Sequence, residues 1–192
     1  MNILKSALPA AILFASMPAL AFDDDRQGLI MGLGAGFQTL RTDAFNLYGN
    51  TGSMPAQGLA TSFKIGAGVT NQIALYYVRN DSWFRAYPSS VSAKETTYTT
   101  GISGIGATYF LAPTAPSGYF LAATGTGYVS APFKSGNNPK TGRAFMVGGG
   151  YEFEKSLAVE WTLLTTHTQS SLAPSATQKS TSLQFTINYL LY

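Results

Sequence analysis

The sequence predicts an all-β chain: a closed antiparallel barrel of eight transmembrane strands. Three observations carry this. Apolar residues alternate with small or polar ones at period two through much of the chain. Only 11% of residues are charged while 45% are hydrophobic, against roughly 25% charged in an ordinary soluble domain. Yet nothing beyond the N-terminal stretch approaches the ~18 consecutive apolar residues of a spanning helix. A charge-poor chain of this kind can still cross a bilayer as a closed sheet, because closure satisfies its backbone internally.

The N-terminus is read first, since it decides where the folded part begins. Lys5 precedes an apolar stretch from Ala7 to Ala15, and Ala19-Leu20-Ala21 supplies an A-x-A site. These are the three parts of a secretory signal peptide, expected over residues 1–21 and removed on export. Pro9 and Pro18 argue against a continuous helix there. The barrel is expected over residues 22–192 as one domain, opening on Asp23-Asp24-Asp25. Removing Lys5 lowers the formal net charge from +3 to +2, and no basic cluster points to nucleic acid. Zero Cys excludes disulfides and thiolate metal sites.

Each strand is then argued from its two faces. The first sets Leu29, Met31, Leu33, Ala35 and Phe37 against Ile30, Gly32, Gly34, Gly36 and Gln38. The second sets Leu59, Thr61, Phe63, Ile65, Ala67 and Val69 against Ala60, Ser62, Lys64, Gly66 and Gly68. Residues 73–80 are apolar on both faces, which leaves the third strand unphased. Over 98–111, Ile105, Ala107, Tyr109 and Leu111 face out; over 119–128, Phe120, Ala122 and Tyr128 do. The sixth strand presents Phe145, Val147, Gly149, Tyr151 and Phe153, and the seventh Leu157, Val159, Trp161 and Leu163. The eighth presents Leu183, Phe185, Ile187, Tyr189 and Leu191. One greasy face and one small or polar face suit lipid outside and a tight polar lumen.

Connections alternate in length. Short ones fall at Thr70-Asn71-Gln72, Ala112 to Gly118 and Glu154-Lys155-Ser156; long ones fall at about 41–58, 81–97, 129–142 and 168–180. Short periplasmic turns and longer extracellular loops are the asymmetry of outer-membrane barrels.

With these features on the page, a resemblance follows. The exported N-terminus, Asp25-Arg26-Gln27-Gly28-Leu29 leading into Gly32 to Phe37, and a final strand ending in aromatic residues resemble the small outer-membrane β-barrel family. That family includes the OmpA transmembrane domain, OmpX, OmpW and the opacity-type adhesins. The resemblance implies a bacterial outer-membrane location and contact with the lipid bilayer and lipopolysaccharide. It also implies insertion by the barrel-assembly machinery, which reads a terminal aromatic; here Tyr192 is out of step with Tyr189 and Leu191 by one residue.

Candidate functional residues are few. Inward charges are Lys64, Glu152 and Glu160, with Arg79 expected beside them; buried charges need partners, so an internal ion-pair network is the expectation. Glycines on the inward faces, among them Gly66, Gly106, Gly127 and Gly150, either clear a cavity or make room for large inward side chains. His167, the single His, precedes Thr168, Ser170 and Ser171, but no spacing supplies a nucleophile, base and orienting group. No dinucleotide fingerprint, Walker A, Gly-x-Ser-x-Gly or His-x-x-x-His is present. Catalytic residues, a metal site and a cofactor are therefore expected to be absent, and no ligand site is assigned.

Aromatic side chains divide into two belts: Tyr109, Phe120, Tyr151, Phe153 and Tyr189 near the short turns, and Phe37, Tyr98, Tyr128 and Phe145 near the long loops. Phe45, Tyr48, Trp83, Phe84 and Tyr87 are expected in or beside the first two long loops. The functional expectation is a structural or surface-interaction barrel without catalysis, its long loops offered to a host surface or extracellular ligand. The alternatives are OmpW-like passage of small hydrophobic molecules through the lumen, and a hydrolase acting on lipid A.

Overall fold

The computed structural model describes residues 26–46, 49–86, 96–134, 139–169 and 177–192. The expected signal peptide, Tyr48, Tyr87, Ser170 and Ser171 lie outside them. The strands are β1 (Gly28–Asn46), β2 (Gly49–Gly68), β3 (Ile73–Ala86), β4 (Thr96–Phe110), β5 (Ser117–Ser130), β6 (Lys140–Glu154), β7 (Leu157–Gln169) and β8 (Thr177–Leu191). Each pairs antiparallel with its sequence neighbours, and β8 returns to β1, so the sheet is a closed eight-stranded barrel.

Alternation sets the faces. On β7, Leu157, Val159, Trp161 and Leu163 are exposed while Ala158, Glu160, Thr162 and Leu164 are buried. On the outer wall, Phe37 remains 66% exposed and Ile105 71%. Such an apolar exterior suits hydrocarbon, not water.

The register fixes the shape. A line of paired residues leaves β2 at Ala67, crosses Leu75, Ala107, Ala122, Val147, Leu163, Leu183 and Thr39, and re-enters β2 at Gln57, ten residues away. Eight strands with that stagger tilt about 40° from the axis and enclose a space that side chains fill.

Three expectations are corrected. The strands reach well into the stretches expected as long loops: β1 continues to Asn46 and β3 to Ala86. Inward Leu40, Phe84 and Ala86 hold these extensions together, with Ala56 and Tyr98 against them. Turn-like Pro55 is tolerated because it lies past the last described β2–β3 pair, Gly58 with Phe84. Trp83 and Phe84 therefore stand on β3 and not in a loop. Tyr98, expected in the outer belt, stacks inward on Phe84 at 5.8 Å between centroids, because it shares the face of Gly104 and Gly106.

The unphased strand also resolves. Ala74, Tyr76, Val78 and Asn80 are buried, while Ile73, Leu75, Tyr77 and Arg79 are exposed. Tyr76 pairs with Gly66 on one side and Gly106 on the other, so its ring has space inside the barrel.

The short turns are closed by side chains as well as backbone. Thr70 Oγ1 accepts from the Gln72 and Ile73 amides at 3.2 and 3.0 Å, and Ser117 Oγ accepts from the Ala112 amide at 3.0 Å. Ser156, in the β6–β7 turn, holds a φ of 79°, a conformation rare outside glycine.

Candidate functional site

The lumen is packed in layers. At the short-turn end, Arg26 lies just before β1, where the chain bends inward beneath the barrel. Its guanidinium donates to Ala112 O at 2.7 Å and Asn71 O at 3.3 Å, pairs with Glu152, and stacks on Phe110 at 4.0 Å from the ring centroid. The other oxygen of Glu152 accepts from the hydroxyl of Tyr192, which faces inward. One arginine thus ties together two turns, β6 and the C-terminal residue.

One level up, Lys64 of β2 crosses the lumen to Glu160 of β7, and Glu160 Oε2 also accepts from Tyr119 Oη at 3.0 Å. Lys64 Nζ lies 5.6 Å from the Tyr76 ring centroid, and Tyr76 Oη lies 2.9 Å from Thr108 Oγ1. Between these two layers remains a cavity of ≈ 20 Å³ lined by Lys64, Tyr76, Thr108, Phe110 and Tyr192, room for about one water.

The level above the second layer is built from uncharged groups. Gln184 Nε2 donates to Ser82 Oγ at 2.8 Å, Thr162 Oγ1 donates to Gln184 Oε1 at 3.1 Å, and Ser82 meets Ser182 at 2.7 Å. Met146, Ile102, Leu164 and Val78 complete this level. The hydroxyls of Thr42 and Ser180 join near the long-loop end at 3.1 Å.

Among the inward glycines, two have an evident packing role. The Tyr119 ring occupies the place where a Gly150 side chain would start, and the Tyr76 ring lies against Gly106. At these positions glycine accommodates a large partner and leaves no cavity.

Lys64, Glu152 and Glu160 all lie in the lumen, but Arg79 does not join them. It faces outward with its side chain 54% exposed, its Nε donating to Asp81 Oδ2 at 3.1 Å while Asp81 Oδ1 accepts from Tyr128. The reason is parity: once Tyr76 and Val78 are inside, Arg79 must be outside. Sequence reasoning missed Arg26 as the partner of Glu152. The available signal was the imbalance of two inward carboxylates against one inward lysine.

His167 is exposed on the outer wall of β7, paired with Arg143 of β6 and Lys179 of β8. A catalytic histidine needs an acidic or amide group to orient it; these cross-strand neighbours are both basic.

No protein-family model matches the chain, and comparison with curated proteins yields no match. Among solved structures, it is similar to Neisserial surface protein A (NspA), with a TM-score of 0.52 and 13% identity over 83% of this chain and 96% of that one. It also aligns with OprG of Pseudomonas aeruginosa (TM-score 0.49, 10% identity, 88% and 99% covered). A third alignment is with Ail, the attachment invasion locus protein of Yersinia pestis, bound to a heparin analogue (0.48, 12%, 84% and 99%). The likeness to NspA is one of fold, that of the small eight-stranded outer-membrane barrels.

Proposed function

We propose that this closed barrel resides in the bacterial outer membrane as a structural and surface-interaction protein, with a plugged lumen and no catalysis. The observation that supports it best is the pair of charged layers across the lumen, Arg26–Glu152–Tyr192 and Lys64–Glu160–Tyr119. Each joins groups from distant parts of the chain, and with the hydroxyl and aliphatic filling above they fill the lumen that a solute would have to cross. Passage of small hydrophobic molecules draws no support from this interior, two of whose levels carry buried charge.

In this reading the apolar outer wall meets lipid hydrocarbon. The long-loop rim faces lipopolysaccharide and external ligands, and the barrel-assembly machinery inserts the exported chain. The role then lies in envelope integrity or adhesion at the wall and rim.

The test is electrical. Purified protein in a planar bilayer should be silent, with no stable unitary conductance; a persistent open level would overturn the plugged-lumen reading. Fractionation with a heat-modifiability gel tests location, and protein soluble without detergent would defeat the membrane assignment.

A further inference from the structure

Seven of the eight joints of the barrel link strands that follow one another in the chain; the joint of β1 with β8 does not. When consecutive strands part, the segment between them holds the two edges within reach. Parted β1 and β8 have no such tether, and their reclosure carries the entropy of the longest loop in the fold. This seam is therefore where the barrel can open as a unit while its other pairings persist. Its ladder also stops short at the short-turn end. The last pair is Met31 with Leu191, so Gly28 to Ile30 run on with no β8 residue beside them.

Both loose ends of that seam turn into the lumen and meet on one carboxylate. Gly28, with a φ of 107°, lets the chain pass beneath the barrel, and Arg26 O lies where a Gly68 side chain would start. Arg26, just before β1, pairs with Glu152 Oε2, while Tyr192, just after β8, donates to Glu152 Oε1. Glu152 belongs to neither strand. It stands fully buried on β6, paired with Ser117 of β5 and Ala158 of β7. The Leu190 amide adds a tie to Ser156 O in the β6–β7 turn at 2.8 Å. Further along, the seam is fastened strand to strand: the rings of Phe37 and Phe185 stack at 5.6 Å, and the hydroxyls of Thr42 and Ser180 meet at 3.1 Å. Its short-turn end is fastened through a third strand instead.

We propose that Glu152 is the clasp of the β1–β8 seam. With both struts in place the seam stays shut where its ladder stops; without the carboxylate, β1 and β8 part there while the other seven joints hold. A carboxylate suits this task because its two oxygens accept from a cation and a hydroxyl at once. An amide in its place offers one oxygen and sets an NH2 group against the other donor, which releases a strut. Parting starts at the short-turn mouth, where water can solvate the freed backbone groups, and not in the apolar part of the wall. A parted seam bares two strand edges, the feature through which chains pair with one another, and the clasp withholds them. It acts whether or not the lumen conducts.

The experiment is hydrogen–deuterium exchange of detergent-refolded protein, read by mass spectrometry. Glu152→Gln should speed exchange of the seam amides near the short-turn end, residues 29–35 and 187–191, about tenfold over wild type. Amides of β4 and β5 should be unchanged. The chain has no Cys, so introduced thiols can be joined selectively by a short bifunctional linker. In the Glu152→Gln background, linking Leu33→Cys to Tyr189→Cys, exposed partners across the seam, should abolish the excess exchange. Linking Ala107→Cys to Ala122→Cys, partners across β4 and β5, should leave it. Equal acceleration in every strand, no acceleration, or an excess that survives the seam link overturns the proposal. If Glu152→Gln does not fold, Tyr192→Phe takes its place. It keeps the ion pair and should speed exchange over residues 187–191 alone; unchanged exchange there overturns the proposal equally.

Discussion

Arg26 and Glu152, 126 residues apart in the chain, meet as a buried ion pair that closes the short-turn mouth of the barrel. The arginine precedes the first strand, so the segment outside the sheet completes the lumen. Arg26→Ala leaves Glu152 as a buried charge with only the Tyr192 hydroxyl. That should destabilise the barrel by on the order of 3–5 kcal/mol. Urea titration of detergent-refolded protein, read by gel mobility, measures it. An unchanged midpoint would show that the mouth does not depend on this pair.

The Lys64–Glu160 pair makes a prediction with two parts. Glu160→Gln removes the charge that neutralises Lys64 and should lower the unfolding temperature. Replacing both by apolar residues of similar size, Lys64→Met with Glu160→Leu, should recover much of the loss, because a buried pair can be exchanged for packing at little net cost. Thermal melts followed by circular dichroism decide it; a double variant as unstable as the single one contradicts the argument.

Gly106→Ala should be unfavourable by about 1–3 kcal/mol through overpacking, since the added carbon meets the Tyr76 ring. In a Tyr76→Leu background the same change should cost less, a coupling that identifies the ring as the obstacle. Additive effects in a double-mutant cycle would place the strain elsewhere.

Depth on the outer wall should govern tolerance of charge. Leu163→Arg, on the greasy part of β7, should cost about 2–4 kcal/mol in a bilayer, and Gln169→Arg near the long-loop end at most about 1 kcal/mol. Reversible folding into liposomes reports both. Equal costs would mean that lipid does not surround this wall as supposed.

His167 offers a check on the non-catalytic reading. Vesicles containing lipid A should release no fatty acid with wild-type protein, as followed by mass spectrometry. Release by wild type that disappears in His167→Ala would establish catalysis and reverse the assignment.

Much of the barrel is legible along the chain, because the direction of a side chain in a strand depends only on its immediate neighbours. Leu183, Phe185, Ile187 and Tyr189 announce their outward face without reference to anything distant. Where both faces are apolar this signal fails: Ile73, Leu75 and Tyr77 are as greasy as Ala74, Tyr76 and Val78. The choice there fell to Gly66 and Gly106 on neighbouring strands, which leave room for Tyr76 inside. Arg79 was misjudged for the same reason, since a charge looks better placed in a polar lumen until its strand's phase is known.

The sequence by itself determined an eight-stranded barrel, the faces of seven strands and the inward position of Lys64, Glu152 and Glu160, all consequences of a two-residue period. Only the tertiary structure decided who meets whom: Glu160 with Lys64 and Tyr119, Glu152 with Arg26 and Tyr192, Arg79 with Asp81 and Tyr128 on the outer wall. Two of these sets join distant parts of the chain, and in the third the phase of β3 chose the wall. The cross-lumen partners depend on closure with a stagger of ten residues, which sets the height of every residue against all others. Alternation along one strand carries no information about that height.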